Sequence, residues 1–156
     1  MINTKDKEQL FKLISDYLEK DITCIAIGGT AMMFSGYKTT TKDIDLVFKT
    51  DEDRKIFIKA IEQLGYKQKS LISIYDEKKI NKNKPLIYSR GVERFDLFVK
   101  DVFGFKLDFD INKIYQRNDF ISKKELIILI LKKEDIILLK SITDRETDFE
   151  DIETII

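Results

Sequence analysis

Two short stretches carry residue types that can do chemistry together. Gly28-Gly29-Thr30-Ala31 closes an apolar run, and Asp43-Ile44-Asp45 follows after a polar loop. Side chains at i and i+2 of a strand share one face, about 7 Å apart at Cα. Two carboxylates so placed repel unless a cation or proton lies between them. Mg²⁺ suits that place, being hard and oxygen-seeking. Two such ions, about 3.5–4 Å apart, clamp the attacking and leaving oxygens of a phosphoryl displacement. Mn²⁺ would serve as a substitute.

A third acid should come from a neighbouring strand. Asp96, within Arg94-Phe95-Asp96-Leu97-Phe98, alternates with apolar Phe95 and Leu97 and is the best candidate. It could complete the metal site or accept a proton from an attacking hydroxyl. The glycine pair taken alone is a tight strand-to-helix turn. Its functional reading adds backbone N–H groups at the start of the next helix, which can hold phosphate. Thr30 could add a hydroxyl donor. Lys38 and Lys42, flanking the threonine run that ends at Thr41, could offset triphosphate charge; an ordinary solvated loop explains them equally well.

Other chemistries are excluded by composition. The chain has no histidine, so imidazole bases, imidazole metal ligands and a Ser-His-Asp triad are all ruled out. Cys24 is the single cysteine, which forbids an internal disulfide, and its apolar strand marks it as a small buried hydrophobe. No Gly-Lys-Ser or Gly-Lys-Thr marks a P-loop, and the closing glutamate of an EF-hand is missing. The 28 basic and 28 acidic residues balance, so no global field draws the chain to nucleic acid or membrane.

The elements that must position these residues follow from periodicity. Asn3 or Thr4 can cap a first helix that runs to about Lys20, with Leu10, Phe11, Ile14, Tyr17 and Leu18 at helical spacing. Thr23 to Ile27 reads as a buried strand and Thr30 to Ser35 as a short helix stopped by Gly36. Tyr37 to Lys42 is a polar loop. Asp43 to Lys49 is a strand with Ile44, Leu46 and Phe48 on one face. Thr50 followed by three acids starts a helix that ends at Gly65. Tyr66 to Ile74, Leu86 to Arg90, Arg94 to Val99 and Leu126 to Leu131 read as strands. Asp76 to Lys84 reads as a mobile loop and Asp110 to Gln116 as a short helix. Glu134 to Thr143 and Asp148 to Ile156 are helical. The expectation is one α/β (α+β) domain over residues 1–156. It has a mixed central sheet, helices packed on it, and C-terminal helices from about 134.

The N-terminal residues Met1 to Asp6 lack the basic-then-apolar order of a signal peptide. The longest apolar run, Leu126 to Leu131, is far shorter than the ~20 residues that span a bilayer. The reading is a soluble, cytoplasmic protein with no membrane partner.

With these motifs in place, the sequence resembles the nucleotidyltransferase superfamily with a polymerase-beta-like core. It is most similar to AbiEii-type toxin nucleotidyltransferases and their small archaeal and bacterial relatives. Gly28-Gly29-Thr30-Ala31, Gly36, Lys38 and Thr41-Lys42-Asp43-Ile44-Asp45 match the group's first motif. Arg94 to Phe98 matches the strand of the third acid. Glu134-Asp135, Lys140 and Arg145-x-x-Asp148-x-x-Asp151 match its Lys and Arg-x-x-Asp-x-x-Asp ending.

The resemblance implies a nucleotidyltransferase fold, and it implies transfer of an NMP from an NTP to an RNA (a tRNA 3′ end) or a protein hydroxyl. Asp43, Asp45 and Asp96 would be the catalytic and metal residues. Lys140 would contact nucleotide phosphate, and Asp148 would lie near the site or brace Lys140 and Arg145. A toxin–antitoxin setting with a cognate toxin or antitoxin partner is implied too. Lys38 stands where the group commonly has arginine, so a planar bidentate phosphate contact is lost there. An RNA acceptor would call for a basic surface, which Lys78, Lys79, Lys82, Lys84 and Arg90 could supply. A non-catalytic nucleotide- or partner-binding module of the same fold is the alternative.

Overall fold

The computed structural model describes residues 2–41, 43–69, 84–102, 105–109, 116–143 and 146–156. Five helices and eleven strands occur among them. The helices are α1 (Thr4–Tyr17), α2 (Gly28–Phe34), α3 (Asp51–Gln63), α4 (Lys133–Thr143) and α5 (Glu146–Ile155). The strands of the main sheet are β2 (Ile22–Ala26), β4 (Asp43–Phe48), β5 (Lys67–Lys69), β6 (Leu86–Arg90), β7 (Glu93–Val99), β10 (Gln116–Ile121) and β11 (Glu125–Ile130). Two small ladders accompany it: β1 (Ile2–Asn3) with β3 (Thr40–Thr41), and β8 (Asp101–Val102) with β9 (Phe105–Lys106).

The sheet order is β10-β11-β2-β4-β7-β6-β5. The pairs β11–β2 and β4–β7 are parallel and the others antiparallel, so the sheet is mixed. The two strands that carry the acids, β4 and β7, are therefore central neighbours.

Alternation divides β4 cleanly. Ile44, Leu46 and Phe48 are buried on one face, and the Phe57 ring of α3 packs there against Phe48 and Phe95, centroids 5.2 and 5.6 Å away. Asp43 and Asp45 consequently point to the other face, where Val47 and Phe98 form an apolar floor further along the strands. Helix α3 begins as its sequence dictates: the Thr50 hydroxyl accepts from the Asp53 N–H at 3.1 Å, and Gly65 follows its end at φ +94°. Cys24 is fully buried.

Several expectations need correction. Helix α2 starts at Gly28, not Thr30, so the glycine pair is its first turn. The expected loop at Tyr37–Lys42 contains the short strand Thr40–Thr41, paired with Ile2–Asn3. The first helix stops at Tyr17, and the last begins at Glu146. Of the strand expected over Tyr66–Ile74, Lys67–Lys69 is seen; residues 70–83 lie outside the described set, as does most of the loop expected at Asp76–Lys84. Residues 110–115 of the helix expected at Asp110–Gln116 also lie outside it, and Gln116 opens strand β10 instead. That strand reads Gln-Arg-Asn-Asp-Phe-Ile and was not expected, because a polar strand at a sheet edge has little apolar alternation to betray it. No helix among the described residues is long and apolar enough to cross a membrane.

Candidate active site

The register places the acids. Asp43 pairs with Arg94, Ile44 with Phe95, and Asp45 with Asp96. Adjacent strands lie about 4.8 Å apart, so Asp45 and Asp96 are side by side on one face with Asp43 two residues away. Asp96 is 5 % exposed, while Asp43 and Asp45 are partly buried. All three acids thus lie on one face of the sheet, on adjacent strands.

The glycine turn abuts this patch. Gly28 has φ +57°, and a Cβ on it would lie 2.9 Å from Asp45 Oδ2. A Cβ on Gly29 would lie 2.6 Å from Thr41 Oγ1. Both positions are thus closed to side chains, one by conformation and contact, the other by contact. Thr30 is the joint between helix and strand. Its hydroxyl accepts from Asp45 N–H at 3.0 Å and donates to the Asp43 carbonyl at 3.3 Å. Thr41 Oγ1 donates to the same carbonyl at 3.1 Å. Both hydroxyls tie α2 and the β3 segment to the acid strand. Ile27 offers no side-chain cap to α2.

Two cations meet the acids. Arg94 grips Asp96 bidentately, Nε to Oδ1 at 2.6 Å and an Nη2 N–H to Oδ2 at 2.8 Å. Lys7, fully buried on α1, reaches Thr30 Oγ1 with Nζ at 3.5 Å. Burial lowers its pKa to about 7, against the opposing pull of Asp45 and then Asp43. Asp45 is held well above the ordinary carboxylate range by burial, then by the charges of Asp96 and Asp43; Lys7 and Arg94 oppose this.

Lys7 did not figure among the expected site residues. The signal was present: Lys7, Phe11, Ile14 and Leu18 form one stripe at i, i+4, i+7 and i+11, all buried. A lysine on the core stripe of an amphipathic helix marks a buried charge that needs a partner.

The C-terminal motif forms a second cluster. Asp151 Oδ2 accepts from Lys140 Nζ at 2.7 Å, and its Oδ1 pairs with Lys38 Nζ at 2.8 Å. Lys140 is 5 % exposed. Two expected phosphate ligands, from the loop after α2 and from α4, are therefore joined by one carboxylate of α5. Burial alone would raise the Asp151 pKa, but hydrogen bonds from Lys140 and Lys38 outweigh it and hold the group below its ordinary value. Lys42 and Arg145 lie outside the described residues, and so does the side chain of Asp148. Lys78, Lys79 and Lys82 lie outside them too, and Lys84 is exposed. Arg90 is committed structurally: it donates to the Leu64 carbonyl at 2.7 Å and to Glu93 at 3.1 Å, and covers the Tyr66 ring at 4.7 Å.

Among the described residues no group of three metal-ligating side chains is poised to hold one ion. Asp96 is turned to Arg94, which leaves the Asp43–Asp45 pair. Two carboxylates fit Mg²⁺, which keeps several waters and commonly takes only one or two protein carboxylates beside substrate phosphates.

No protein-family model and no curated protein matches this sequence. Solved structures do. A crystal structure of ANT(2")-Ia in complex with adenylyl-2"-tobramycin superposes with a TM-score of 0.56 at 16% identity, covering 96% of this chain and 87% of that one. A solution structure of the antibiotic-resistance factor ANT(2'')-Ia gives the same TM-score and identity over 99% of this chain and 84% of that one. The chain has the nucleotidyltransferase fold. At this identity the likeness concerns the fold, and the acids sit within that fold on its central strands β4 and β7.

Proposed function

We propose that the chain is a Mg²⁺-dependent nucleotidyltransferase that moves an NMP from an NTP to an acceptor hydroxyl. The observation that carries this reading is the register of Asp45 with Asp96, beside a glycine turn that admits no side chain. Asp43 and Asp45 would hold Mg²⁺, with Mn²⁺ as a substitute, and bound metal would supply charge stabilisation to the phosphates; two ions are the number this chemistry uses. The Gly28–Gly29 turn lets the nucleotide approach backbone. Lys38, Lys42, Lys140 and Arg145 would face phosphate, which requires that Lys38 and Lys140 exchange Asp151 for it. The acceptor oxygen bonds to the α-phosphorus, the bond to the bridging oxygen breaks, and pyrophosphate leaves. Asp96 would take the acceptor's proton. Catalysis is chiefly positioning and electrostatics.

The resemblance to AbiEii-type enzymes supports a tRNA 3′ end or a protein hydroxyl as acceptor and a toxin–antitoxin role with a cognate partner protein, in the cytoplasm. The adenylyl-2"-tobramycin bound to ANT(2")-Ia adds a small-molecule hydroxyl as a third class. One observation favours a second reading. Arg94 engages both oxygens of Asp96, as suits a module that binds nucleotide without turnover.

The test is label transfer from each α-³²P NTP with Mg²⁺, to total RNA, total protein and an aminoglycoside, with Asp43→Ala alongside. Label that vanishes in the variant identifies the acceptor class. Nucleotide binding without label on any acceptor selects the binding module, and neither binding nor label refutes both.

A further inference from the structure

We propose that Lys49, Lys100 and Lys106 form a second site, apart from the acids, that binds the phosphodiester backbone of a single-stranded nucleic acid.

The three lysines line one groove of about 740 Å³. Three elements bring them there. The parallel ladder of β4 and β7 ends with Phe48 paired to Val99, and the Lys100 N–H donates to the Phe48 carbonyl at 2.9 Å. Lys49 and Lys100 therefore follow as neighbours just beyond the ladder. Lys106 comes from β9, in register with Asp101 of β8. All three residues are exposed, and among the described residues none of them forms an ion pair.

Two features here work against stability. Like charges set side by side on adjacent strands repel. Lys100 also has φ +66°, and among the described residues it is the one non-glycine residue in the left-handed region. Both of its backbone groups are tied down, since its carbonyl also accepts from the Leu107 N–H at 3.1 Å. Strain of this kind collects at ligand clamps, where the side chain is needed in place. A polyanion in the groove would offset the repulsion.

The walls indicate which polyanion. Leu107 and Phe109 are half-buried against the core, so an apolar surface and one aromatic ring stand beside the lysines. Asp108 is the one acid among the lining residues. Cations for phosphate next to a ring for a base are the means by which proteins hold single strands. An acidic peptide would use the charges and leave the ring idle. Small-molecule sites enclose most of their ligand, whereas three exposed lysines suit a chain that runs through. The 28 basic and 28 acidic residues cancel, so the attraction is local to this groove.

The groove also lies on the right side of the sheet. By alternation Lys49 follows Asp43, Asp45 and Val47 on the acid face, about 13 Å beyond Asp45. A stacked strand rising about 3.4 Å per nucleotide covers that distance in roughly four nucleotides. Binding in the groove does not depend on the proposed transfer reaction.

The test is fluorescence anisotropy of end-labelled oligouridylates of about 4, 8 and 16 nucleotides, in chelator and without NTP. Wild type is compared with Lys49→Ala, Lys106→Ala, Lys100→Gly, the triple variant, Lys49→Arg and Asp43→Ala. Each single lysine loss is expected to weaken binding roughly three- to fivefold and to reduce the salt slope by about 0.7. Lys49→Arg and Asp43→Ala are expected to bind as wild type does. Lys100→Gly separates binding from folding: glycine adopts positive φ freely, so its urea midpoint should hold or rise while its affinity falls. No binding by wild type at low salt overturns the proposal, and so does a triple variant with wild-type affinity and salt slope. Equal affinity for an oligoglutamate of matched length overturns the nucleic-acid assignment. If Lys100→Gly does not fold, the exposed Lys49→Ala and Lys106→Ala decide the matter in the same assay. Because metal and NTP are absent throughout, failure here and failure of the transferase reading remain distinct results.

Discussion

Asp45 and Asp96 are direct register partners across the parallel strands β4 and β7, yet the two carboxyls are held differently. Arg94, on the same strand and face as Asp96, takes both oxygens of that carboxylate. Asp45 instead feels Lys7 and Arg94 through space, and burial with the charges of Asp96 and Asp43 outweighs both.

Asp45→Asn should abolish transfer, at least about a thousandfold, while stabilising the metal-free fold by about 1 kcal/mol. Asp45 sits between two like charges in a setting that disfavours its ionised form, so a neutral isostere relieves repulsion. Urea unfolding in chelator checks it. A lower midpoint for the variant would show that Asp45 holds the fold rather than the substrate.

Gly28→Ala and Gly29→Ala should each cost about 1–3 kcal/mol, with different consequences. At Gly28 the new methyl meets Asp45 Oδ2, and the backbone is left-handed, so metal or nucleotide binding falls along with stability. At Gly29 the methyl meets Thr41 Oγ1, which can rotate away only by giving up the Asp43 carbonyl. Melting curves with and without Mg-NTP separate the two: the ligand-induced shift should shrink most for Gly28→Ala.

Asp151→Asn should destabilise the protein by about 1–3 kcal/mol at neutral pH, since it removes a charged hydrogen-bond partner of the buried Lys140. The pH dependence follows from the depressed pKa. A carboxylate whose folded value lies below its ordinary 3.8 contributes stability above that value and loses it as pH falls through the folded value. The gap between wild type and Asp151→Asn should therefore be constant above about pH 5 and close on further acidification. A gap that widens in acid would contradict the assignment.

Lys38→Ala and Lys140→Ala should part company. Both pair with Asp151, but the Lys38 side chain is 34 % exposed, so its loss should cost under about 1 kcal/mol. Lys140 is a core residue of the α4–α5 contact, and its removal should cost more. If both lysines face phosphate, each substitution should raise the KM for NTP by roughly tenfold. Denaturation midpoints and steady-state kinetics together test this.

Much of the site was legible locally. The Asp-Ile-Asp spacing and the alternation of Phe95, Asp96 and Leu97 each dictated a face, because strand periodicity is a property of the backbone. The start and stop of α3, from Thr50 to Gly65, followed from capping chemistry in the same way. Strand β10 escaped because edge strands need not be apolar, and the start of α2 was misplaced because Gly28 begins a helix at positive φ.

The sequence by itself determined which residues can do chemistry, which faces they occupy within their own elements, and which chemistries are barred by the lack of histidine. Only the tertiary structure decided who meets whom. The Asp45–Asp96 register, the Lys7–Thr30 contact and the shared Asp151 clamp on Lys38 and Lys140 all join residues from different elements. Local propensity acts over a turn or a strand, whereas these pairings are set by how the core packs and where buried charge finds its opposite.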